Sequence, residues 1–430
     1  MNLLIAIKNF AYIRWIKKYK SKKHLEDYQN KKIEKHLLYI KNHSPFYKNI
    51  DYKDLSSIEI INKKIMMDNF NEMNTVSADK EECLNIAINS EHTRDFSTKY
   101  KNLSVGLSSG TSGHRGLFVL SDKEIMQWAG AMLAKVLPKG KIFGNKIAFF
   151  LRADNNLYES INSIFVKFEF FDLLDDFSKN MEKLEKFNPT ILVAPASILK
   201  LIGKEIVEKS ITCINPIKII SVAEVLTKSD ERFIKNAFNK EIIHQVYQCT
   251  EGFLAYTCEC GCLHFNEDIV KIEKEKIDDT RFIPIVTDFY RKTQPIIRYR
   301  LNDVIISTNK KCDCGLPFMV IDQIEGREDD IFVFEGQDGN DVLVHGDFIS
   351  RCLVYVDDIL EYRVFEVSKH EIIIYIDTIS DEIKNNIITE FKKLSEKKGF
   401  ILPSITYEKY VKDNTKKMKR IERGFKYEKA

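Results

Sequence analysis

The stretch Ser104-Val-Gly-Leu-Ser-Ser-Gly-Thr-Ser-Gly-His-Arg-Gly116 holds four of the chain's seventeen glycines, Gly106, Gly110, Gly113 and Gly116. A loop this rich in Gly, Ser and Thr lets backbone N–H groups and hydroxyls converge on an anion, as a phosphate nest does. No Gly-Lys-Ser/Thr follows, so it is not a Walker loop, and it lacks the dinucleotide fingerprint. Leu117-Phe-Val-Leu120 is strand-like, and only then does a helix open. That helix starts on a capping box from Ser121 to Glu124 and places Ile125, Trp128, Ala129, Met132 and Val136 on one face. The pattern predicts a glycine-rich turn between two strands with no helix dipole behind it. Taken alone, the same residues read equally as an ordinary Gly/Ser surface loop.

Outward from the loop, residues 100 to 250 alternate strand-like and helix-like segments. Lys146-Ile-Ala-Phe-Phe-Leu151 is a short apolar run. Thr190-Ile-Leu-Val-Ala194 runs into Pro195 and then the periodic Ile198, Leu199, Leu201, Ile202 and Ile206. Ile217-Lys-Ile-Ile-Ser-Val222 precedes a helix capped at Thr227 or Ser229, and Glu241 to Tyr247 reads as another strand. This spacing predicts an α/β fold with a buried, mostly parallel sheet covered by helices. Residues 1 to about 75 read as helical and charged, with a turn at Ser44-Pro-Phe-Tyr47. Residues from about 255 to 325 are β-rich. Beyond Gly326 lies an α+β module of roughly a hundred residues, with strands near 342–344, 362–367 and 371–376 and an amphipathic helix over 381–397. The expected division is therefore a large domain over 1–325 and a small mobile one over 326–430.

At 430 residues the chain exceeds a single-core domain. A hydrophobic content of 44% and nine prolines exclude a disordered or collagenous chain. Lysine plus arginine number 66 against 63 acids, a formal charge of +3, so composition gives no general pull towards nucleic acid. The apolar run Leu3-Leu-Ile-Ala-Ile7 is too short to span a bilayer, its charges come after it, and no signal-peptide cleavage pattern follows. Leu3 to Lys20 reads as a basic amphipathic helix docked on the protein's own body, with a membrane surface as the alternative. The expectation is a soluble cytoplasmic protein without integral membrane contact. Of nine cysteines, Cys83, Cys213, Cys249 and Cys352 are scattered, whereas Cys258, Cys260, Cys262, Cys312 and Cys314 cluster.

Four further stretches carry candidate chemistry. Val246-Tyr-Gln-Cys-Thr-Glu251-Gly ends a predicted strand, where open α/β sheets bind ligands, and its carboxylate suits Mg²⁺ on a triphosphate. Gln294-Pro-Ile-Ile-Arg298-Tyr-Arg300-Leu-Asn-Asp303 offers Asp303 to ribose hydroxyls and Arg298 or Arg300 to phosphate. Ile324-Glu-Gly-Arg327-Glu-Asp329-Asp330 sits at the domain boundary. Lys416-Lys417-Met-Lys-Arg420 offers a mobile lysine that reaches a reacting carboxylate; the bland reading is a solvated basic tail.

Taken in order, these motifs resemble the signature set of acyl-adenylate-forming enzymes, in the branch of phenylacetate–CoA ligases and coenzyme F synthetases. The resemblance runs from Ser44-Pro-Phe-Tyr47 to Arg420. Ser108-Ser-Gly-Thr-Ser-Gly113 matches the phosphate loop, and Ala223-Glu224 stands where Gly-Glu is usual in the adenine pocket. Tyr247 to Glu251 matches Tyr-Gly-x-Thr-Glu, Tyr299-Arg-Leu-Asn-Asp303 matches Tyr-Arg-Thr-Gly-Asp, and Gly326-Arg-Glu-Asp-Asp330 matches the hinge. His114-Arg115 departs from the usual Lys/Arg-Pro, and the terminal lysine lacks its usual Gly partner. Lys417 aligns best, with Lys416 and Lys419 in competition.

The resemblance implies activation of a carboxylic acid by ATP as acyl-AMP with release of pyrophosphate. Acyl transfer to CoA, another thiol, an amine or a carrier protein would follow. AMP transfer to a hydroxyl is one alternative, and a non-catalytic zinc-containing scaffold is another. It assigns Ser108, Ser109, Gly110, Thr111, Ser112 and Gly113 to phosphates, and Ala223, Glu224, Tyr247, Gln248 and Thr250 to the nucleotide. Glu251 falls to Mg²⁺, Asp303 to ribose, Arg300 and Arg327 to the ribose–phosphate region, Asp329 to the hinge, and Lys417 to catalysis. Members of the branch carry a metal site after the Thr-Glu motif. Cys258, His264, Cys312 and Cys314 have the two-pair spacing of structural zinc, with Cys260 and Cys262 as competing ligands.

Overall fold

The computed structural model describes residues 3–93, 95–108, 116–151, 166–173, 175–328, 331–344, 346–354, 356, 359, 361–411 and 420–425. The chain divides into two compact units, one of residues 1–110, 115–301 and 306–323, the other of 111–114, 302–305 and 324–430.

The first unit opens with helices α1 (Leu3–Ala11) and α2 (Lys22–His43), joined through a π-helical turn at Tyr12–Ile16. Helices α3 (Lys63–Asp68), α4 (Phe70–Met73) and α5 (Lys80–Thr93) follow, so the helical start runs to residue 93 rather than to about 75. Ser44 caps α2, and its hydroxyl donates to the Glu72 and Met73 carbonyls, fixing the Ser-Pro-Phe-Tyr turn. Strands β1 (Leu103–Leu107) and β2 (Leu117–Ser121) pair antiparallel on either side of the glycine loop. The capping box then forms as the sequence predicts. Ser121 accepts from the Glu124 N–H, Glu124 reaches back to the Ser121 N–H, and α6 runs from Asp122 to Val136.

Next come β3 (Asn145–Leu151), β4 (Val166–Asp172), β5 (Ile191–Ala194), β6 (Lys218–Ser221) and β7 (His244–Cys249). They lie in the order β4-β3-β5-β6-β7, each pair parallel. Both faces of this part are buried, which explains the unbroken apolar runs. Ala148, Phe150, Leu192, Ala194 and Ile219 pack on one side with Leu184, Leu199 and Ile234 from the flanking helices Phe177–Phe187, Ala196–Glu208 and Lys228–Phe238. Ile147, Phe149, Ile191, Val193 and Ile220 pack on the other with Val136 and Leu137. Each such buried Leu, Ile or Phe contributes about 1.5–3 kcal/mol.

At β7 the sheet changes character. Hairpins join β7 to β8 (Gly252–Thr257) and β8 to β9 (Leu263–Phe265), and a second antiparallel group follows, β10 (Val270–Lys276), β11 (Arg281–Asp288) and β12 (Ile296–Arg300), in which β11 pairs with both others. The sheet is therefore mixed, because two- and five-residue loops between strands leave no room for the helical crossover that parallel pairing needs.

Strands β13 (Asp303–Ser307) and β14 (Val320–Arg327) lead from the first unit into the second. The second unit has a hairpin of β15 (Phe332–Glu335) and β16 (Asp341–Val344) and a four-stranded sheet in the order β19-β18-β17-β20. Its strands are β17 (Tyr362–Ser368), β18 (Glu371–Ile376), β19 (Ser404–Lys409) and β20 (Ile421–Arg423). Helix Asp381–Lys398, capped by Ser380 and ended by Gly399 in the left-handed region, supplies Ile383, Ile387, Phe391 and Leu394 to one core with Ile372, Ile374 and Phe400.

Candidate functional site

Parallel pairing aligns the C-terminal ends of β5, β6 and β7 along one edge, and three sequence motifs follow those ends. After β5, Pro195 leads into the helix Ala196–Glu208. After β6, Val222-Ala223-Glu224 makes a tight turn closed by the Glu224 N–H on the Val222 carbonyl at 2.8 Å. Ala223 there has φ +63°, a left-handed conformation that favours glycine. The turn aims Glu224 at the exposed amide of the neighbouring helix. Ser197 N–H donates to Oε2 at 2.9 Å and Ser197 Oγ to Oε1 at 3.0 Å. A carboxylate at a helix start is stabilised by the unpaired N–H groups there.

After β7, Thr250 and Glu251 form the whole two-residue turn of the β7–β8 hairpin. Glu251 is buried, accepts from Thr250 Oγ1 at 2.9 Å, and hydrogen-bonds with the Tyr299 hydroxyl. Burial raises Tyr299 well above the usual phenol range, with the Glu251 charge adding to it, so the phenol stays protonated as a donor. Gly252 follows with φ +155°, and a Cβ there would lie 3.0 Å from Asp288 Oδ2. Gln248, from the same strand, accepts from the Trp128 indole N–H at 2.9 Å. Tyr247 is buried opposite Ala255.

Two buried charges beside this turn escaped the sequence reading. Arg291 Nη1 donates to the Thr250 carbonyl at 2.9 Å, while its Nε and Nη2 find no hydrogen-bond partner among the described residues. Asp288 accepts from the Tyr290 N–H at 2.8 Å, and burial pushes its carboxyl up to about 6 despite the nearby Arg291 charge. The only sequence signal was their place in Thr287-Asp-Phe-Tyr-Arg291, just upstream of the Pro295-to-Asp303 motif. Gln294 was also missed as an organiser. Its amide pairs with Val119 N–H and Leu117 O of β2, both at 3.0 Å, fixing the strand that leaves the glycine loop.

Ser108 is the described member of the phosphate-loop motif. Its N–H donates to Gly116 O and its Oγ accepts from Gly116 N–H, both at 2.7 Å, clasping the two ends of the loop. Gly106 has a packing reason, since the cross-strand Phe118 ring occupies the place of a Cβ. Ser109, Gly110, Thr111, Ser112 and Gly113 lie outside the described residues, as do Asp329, Lys416, Lys417 and Lys419.

Arg300 is paired within the sheet. Its fork is engaged by Glu275, Nε to Oε2 at 2.9 Å and Nη2 to Oε1 at 2.7 Å, and Arg298 holds Glu273 in the same way. β10 and β12 both pair with β11, so these long side chains reach across the central strand to acids two strands away. In the second unit, Arg327 Nε stands 3.7 Å from Asp303 Oδ1.

The third constellation is the cysteine cluster. A tight turn with Cys258 N–H on Cys262 O at 2.9 Å and Gly261 at φ +80° joins β8 to β9. It sets Cys258 two positions along the hairpin from Tyr256, which lies opposite His264 of β9, while Cys312-Asp-Cys314 arrives from a separate turn followed by Gly315 at φ +76°. The ligand atoms of Cys258, His264, Cys312 and Cys314 all lie within 4.8 Å of one another. Cys258 Sγ is 3.5 Å from Cys312 Sγ, and Cys314 Sγ is 3.4 Å from His264 Nε2. His264 Nδ1 faces the Phe318 carbonyl at 3.3 Å, the outer-shell contact that leaves Nε2 free to ligate. Burial lowers His264 below its ordinary value and lifts the Cys314 thiol to about 12. Cys260 is exposed, and neither it nor Cys262 is in the four-residue group.

No protein-family model matches the chain. It is 25% identical over 417 residues to the protein CapK of Staphylococcus aureus, covering 91% of this chain and 89% of CapK. Among solved structures, a 2-hydroxyisobutyryl-CoA ligase in complex with 2-HIB-AMP superposes with a TM-score of 0.70 at 14% identity, covering 91% of this chain and 88% of that one. The anthranilate CoA ligase AuaEII in complex with anthranoyl-AMP gives 0.53 at 13% identity over 74% and 66% of the two chains. ATP-bound MatB from Rhodopseudomonas palustris gives 0.51 at 12% identity over 76% and 67%. The fold is that of the acyl-adenylate-forming ligases.

Proposed function

We propose that this chain is an ATP-dependent adenylate-forming ligase that activates a small carboxylic acid as acyl-AMP and passes the acyl group to CoA or another thiol or amine. The observation that carries this reading is the Thr250–Glu251 turn, a buried carboxylate held by two hydroxyls at the C-terminal edge of the parallel strands. Around it the adenylation motifs occur in family order on the fold that CoA ligases share.

In the first half-reaction, a carboxylate oxygen of the acid forms a bond to the α-phosphorus of ATP. The bond from that phosphorus to the bridging oxygen breaks, and pyrophosphate leaves. Such a reaction needs positioning and charge neutralisation more than covalent participation by the protein. Glu251 suits one ligand position of Mg²⁺, which would shield the triphosphate; Thr250 and Tyr299 orient that carboxylate. The loop Ser108 to Gly113 would hold the β- and γ-phosphates, Asp303 the ribose, and Arg327 the ribose–phosphate region. Arg291 is the better candidate than Arg300 for an anionic oxygen near Glu251, because its Nε–Nη2 edge has the side-on fork geometry that binds one. Lys417 would stabilise charge on the attacking carboxylate. In the second half-reaction the acceptor sulfur or nitrogen bonds to the acyl carbon, AMP leaves, and the acceptor's proton is released.

Zinc fits the cluster of Cys258, His264, Cys312 and Cys314 by donor set, by mutual distance and by the Phe318 contact on His264. Four protein ligands leave no open position, so its role would be structural.

The test is exchange of labelled pyrophosphate into ATP with Mg²⁺ over a panel of aryl, hydroxy, fatty and amino acids, with Lys417→Ala as control. Exchange that depends on one acid class and is lost in the variant is the expected result. No exchange with any acid, from folded and zinc-loaded protein, overturns the reading in favour of AMP transfer to a hydroxyl or a scaffold role.

A further inference from the structure

The first twenty-five residues contain Lys8, Arg14, Lys17, Lys18, Lys20, Lys22 and Lys23 and no acid, the first carboxylates being Glu26 and Asp27. With a formal charge of only +3 on the whole chain, the remaining residues are net acidic. Lys8 and Arg14 lie on α1 and its π-helical extension, and the other five follow at 17–23, where Lys17 and Lys22 pair with Asp268 and Glu267.

One face of α1 and its extension is fully used. Gly130 of α6 lies against the Ala6 carbonyl with no room for a Cβ, and Asn9 donates to the Gln127 carbonyl. Phe10 packs against the core beneath the sheet. Arg14 closes the end of α6, donating to the carbonyls of Ala134 at 2.8 Å, Leu137 at 3.0 Å and Pro138 at 2.7 Å. This is the helix docked on the protein's own body.

Its outer face is anomalous. A docked surface helix normally turns polar residues to water, yet Leu3, Leu4, Ile7, Tyr12, Trp15 and Ile16 are all exposed, Leu4 at 61%, Trp15 at 55% and Ile16 at 67%. Trp15, one of two tryptophans in the chain, is held edge-on against Phe10 with ring centroids 5.4 Å apart. Exposed Lys8, Lys18, Lys20 and Lys23 lie along the same segment. Aliphatic side chains, an outward indole and acid-free flanking lysines are the composition of a helix that lies in a membrane interface.

We propose that α1 and the Tyr12–Ile16 turn form a peripheral docking surface for an anionic lipid bilayer, with Leu3, Leu4, Ile7, Trp15 and Ile16 entering the headgroup boundary and the lysines meeting lipid phosphates. Charge selects this occupant. A second copy of the chain would set two acid-free basic segments against each other, whereas an anionic surface complements every exposed charge in the patch. No helix among the described residues is long and apolar enough to cross a membrane, so the contact is with the surface. It leaves the Glu251 turn untouched and does not depend on the reaction assigned there.

The experiment is vesicle co-sedimentation of the full chain with phosphatidylcholine alone and with about 30% phosphatidylglycerol, alongside the emission of Trp15, taken as the difference between wild type and Trp15→Phe. Binding to the anionic vesicles at least about tenfold tighter than to neutral ones, weakened by salt, with a blue shift of the Trp15 component, is expected. Leu4→Glu with Ile16→Glu should abolish it while leaving thermal stability in place. The conservative Trp15→Phe should retain most of it. Absence of binding to both vesicle types overturns the proposal. So does a dimer in light scattering that the Leu4→Glu/Ile16→Glu variant converts to monomer, since the face would then belong to a second copy.

Discussion

The two halves of the large sheet are built on different physics. In β4-β3-β5-β6-β7, apolar side chains fill both faces, with Lys218 of β6, paired to Glu259 at 2.9 Å, an exception, and the candidate site motifs follow the strand ends. In β8 to β12 and their loops, charge runs through the interior. Asp268 is buried between Lys135 at 2.9 Å and Lys17 at 3.8 Å, and Glu267 takes Lys22 at 2.7 Å. Gln29 donates to the carbonyls of Glu267 and Val270, and the Cys/His cluster closes one end. The parallel half is stabilised by area removed from water. The antiparallel half, whose hairpins bring many backbone and side-chain polar groups inside, depends for its stability on the pairing of most of them. The comparison predicts that insults to the second half unfold it, while insults to the edge of the first remove activity and leave the fold.

The largest effect should come from metal removal. A structural zinc site contributes on the order of 10 kcal/mol to folding. Chelation, or Cys258→Ala together with Cys314→Ala, should therefore lower the melting temperature strongly, and metal analysis of the wild type should give one zinc per chain. An unchanged melting curve in chelator would erase the contrast, since both halves would then stand on apolar burial alone.

Next in size is Glu251→Gln, which preserves the shape of the hairpin turn and its two hydroxyl neighbours but deletes the charge. Pyrophosphate exchange should fall by about 10²–10³-fold, the scale of losing one preorganised electrostatic partner. Melting should move little, because no buried ion pair is broken. A collapse of stability with intact specific activity in the folded fraction would place Glu251 with the structural charges instead.

Asp288 sharpens the boundary between the two. Burial raises its carboxyl to about 6 from 3.8, so the folded state holds the proton more tightly than the unfolded one. Stability from that proton is fully present below about pH 4 and is lost as pH rises through 6. Asp288→Asn, which keeps an acceptor for the Tyr290 N–H, should accordingly be more stable than wild type at pH 8, on the order of 1–3 kcal/mol, with no advantage near pH 4. Denaturant titrations at the two pH values measure this. An equal difference at both would show that packing, not ionisation, governs the position.

What was legible in the sequence follows the same divide. Runs such as Ile191-Leu-Val-Ala194 declare a strand buried on both faces, and the Ser121–Glu124 capping box declares a helix start, because each signal is local. The convergence of Cys258, His264, Cys312 and Cys314 was legible from spacing and family pattern together. The pairing of Arg300 with Glu275 was not legible, because only the register of β10, β11 and β12 reveals that Glu275 lies within its reach. Lys17 with Asp268, Gln29 with Glu267, and Glu124 with the N–H groups of Lys292 and Thr293 join residues more than 150 apart. No periodicity encodes those pairs. Arg291 stayed hidden for a related reason, since its significance lies in two nitrogens that find no hydrogen-bond partner among the described residues.

The smallest effect, and the finest test, concerns Ala223. Its left-handed φ of +63° costs an L-residue about 1–2 kcal/mol, while glycine there would forfeit about 0.4–1 kcal/mol through the freer unfolded chain. The first figure equals or exceeds the second, so Ala223→Gly should stabilise the protein by up to about 1.5 kcal/mol, read as a rise of a few degrees in melting temperature. The turn sits at the edge where the parallel half keeps its polar groups, between β6 and the Glu224 carboxylate that caps the neighbouring helix. If the alanine merely fills a position that glycine would fill with less strain, exchange activity should be unchanged. If the strain holds Glu224 and the adjoining backbone in a working geometry, relaxing it should raise KM for ATP while stability still rises. That opposite movement of stability and activity would make the turn part of the site; parallel movement would make it ordinary scaffold.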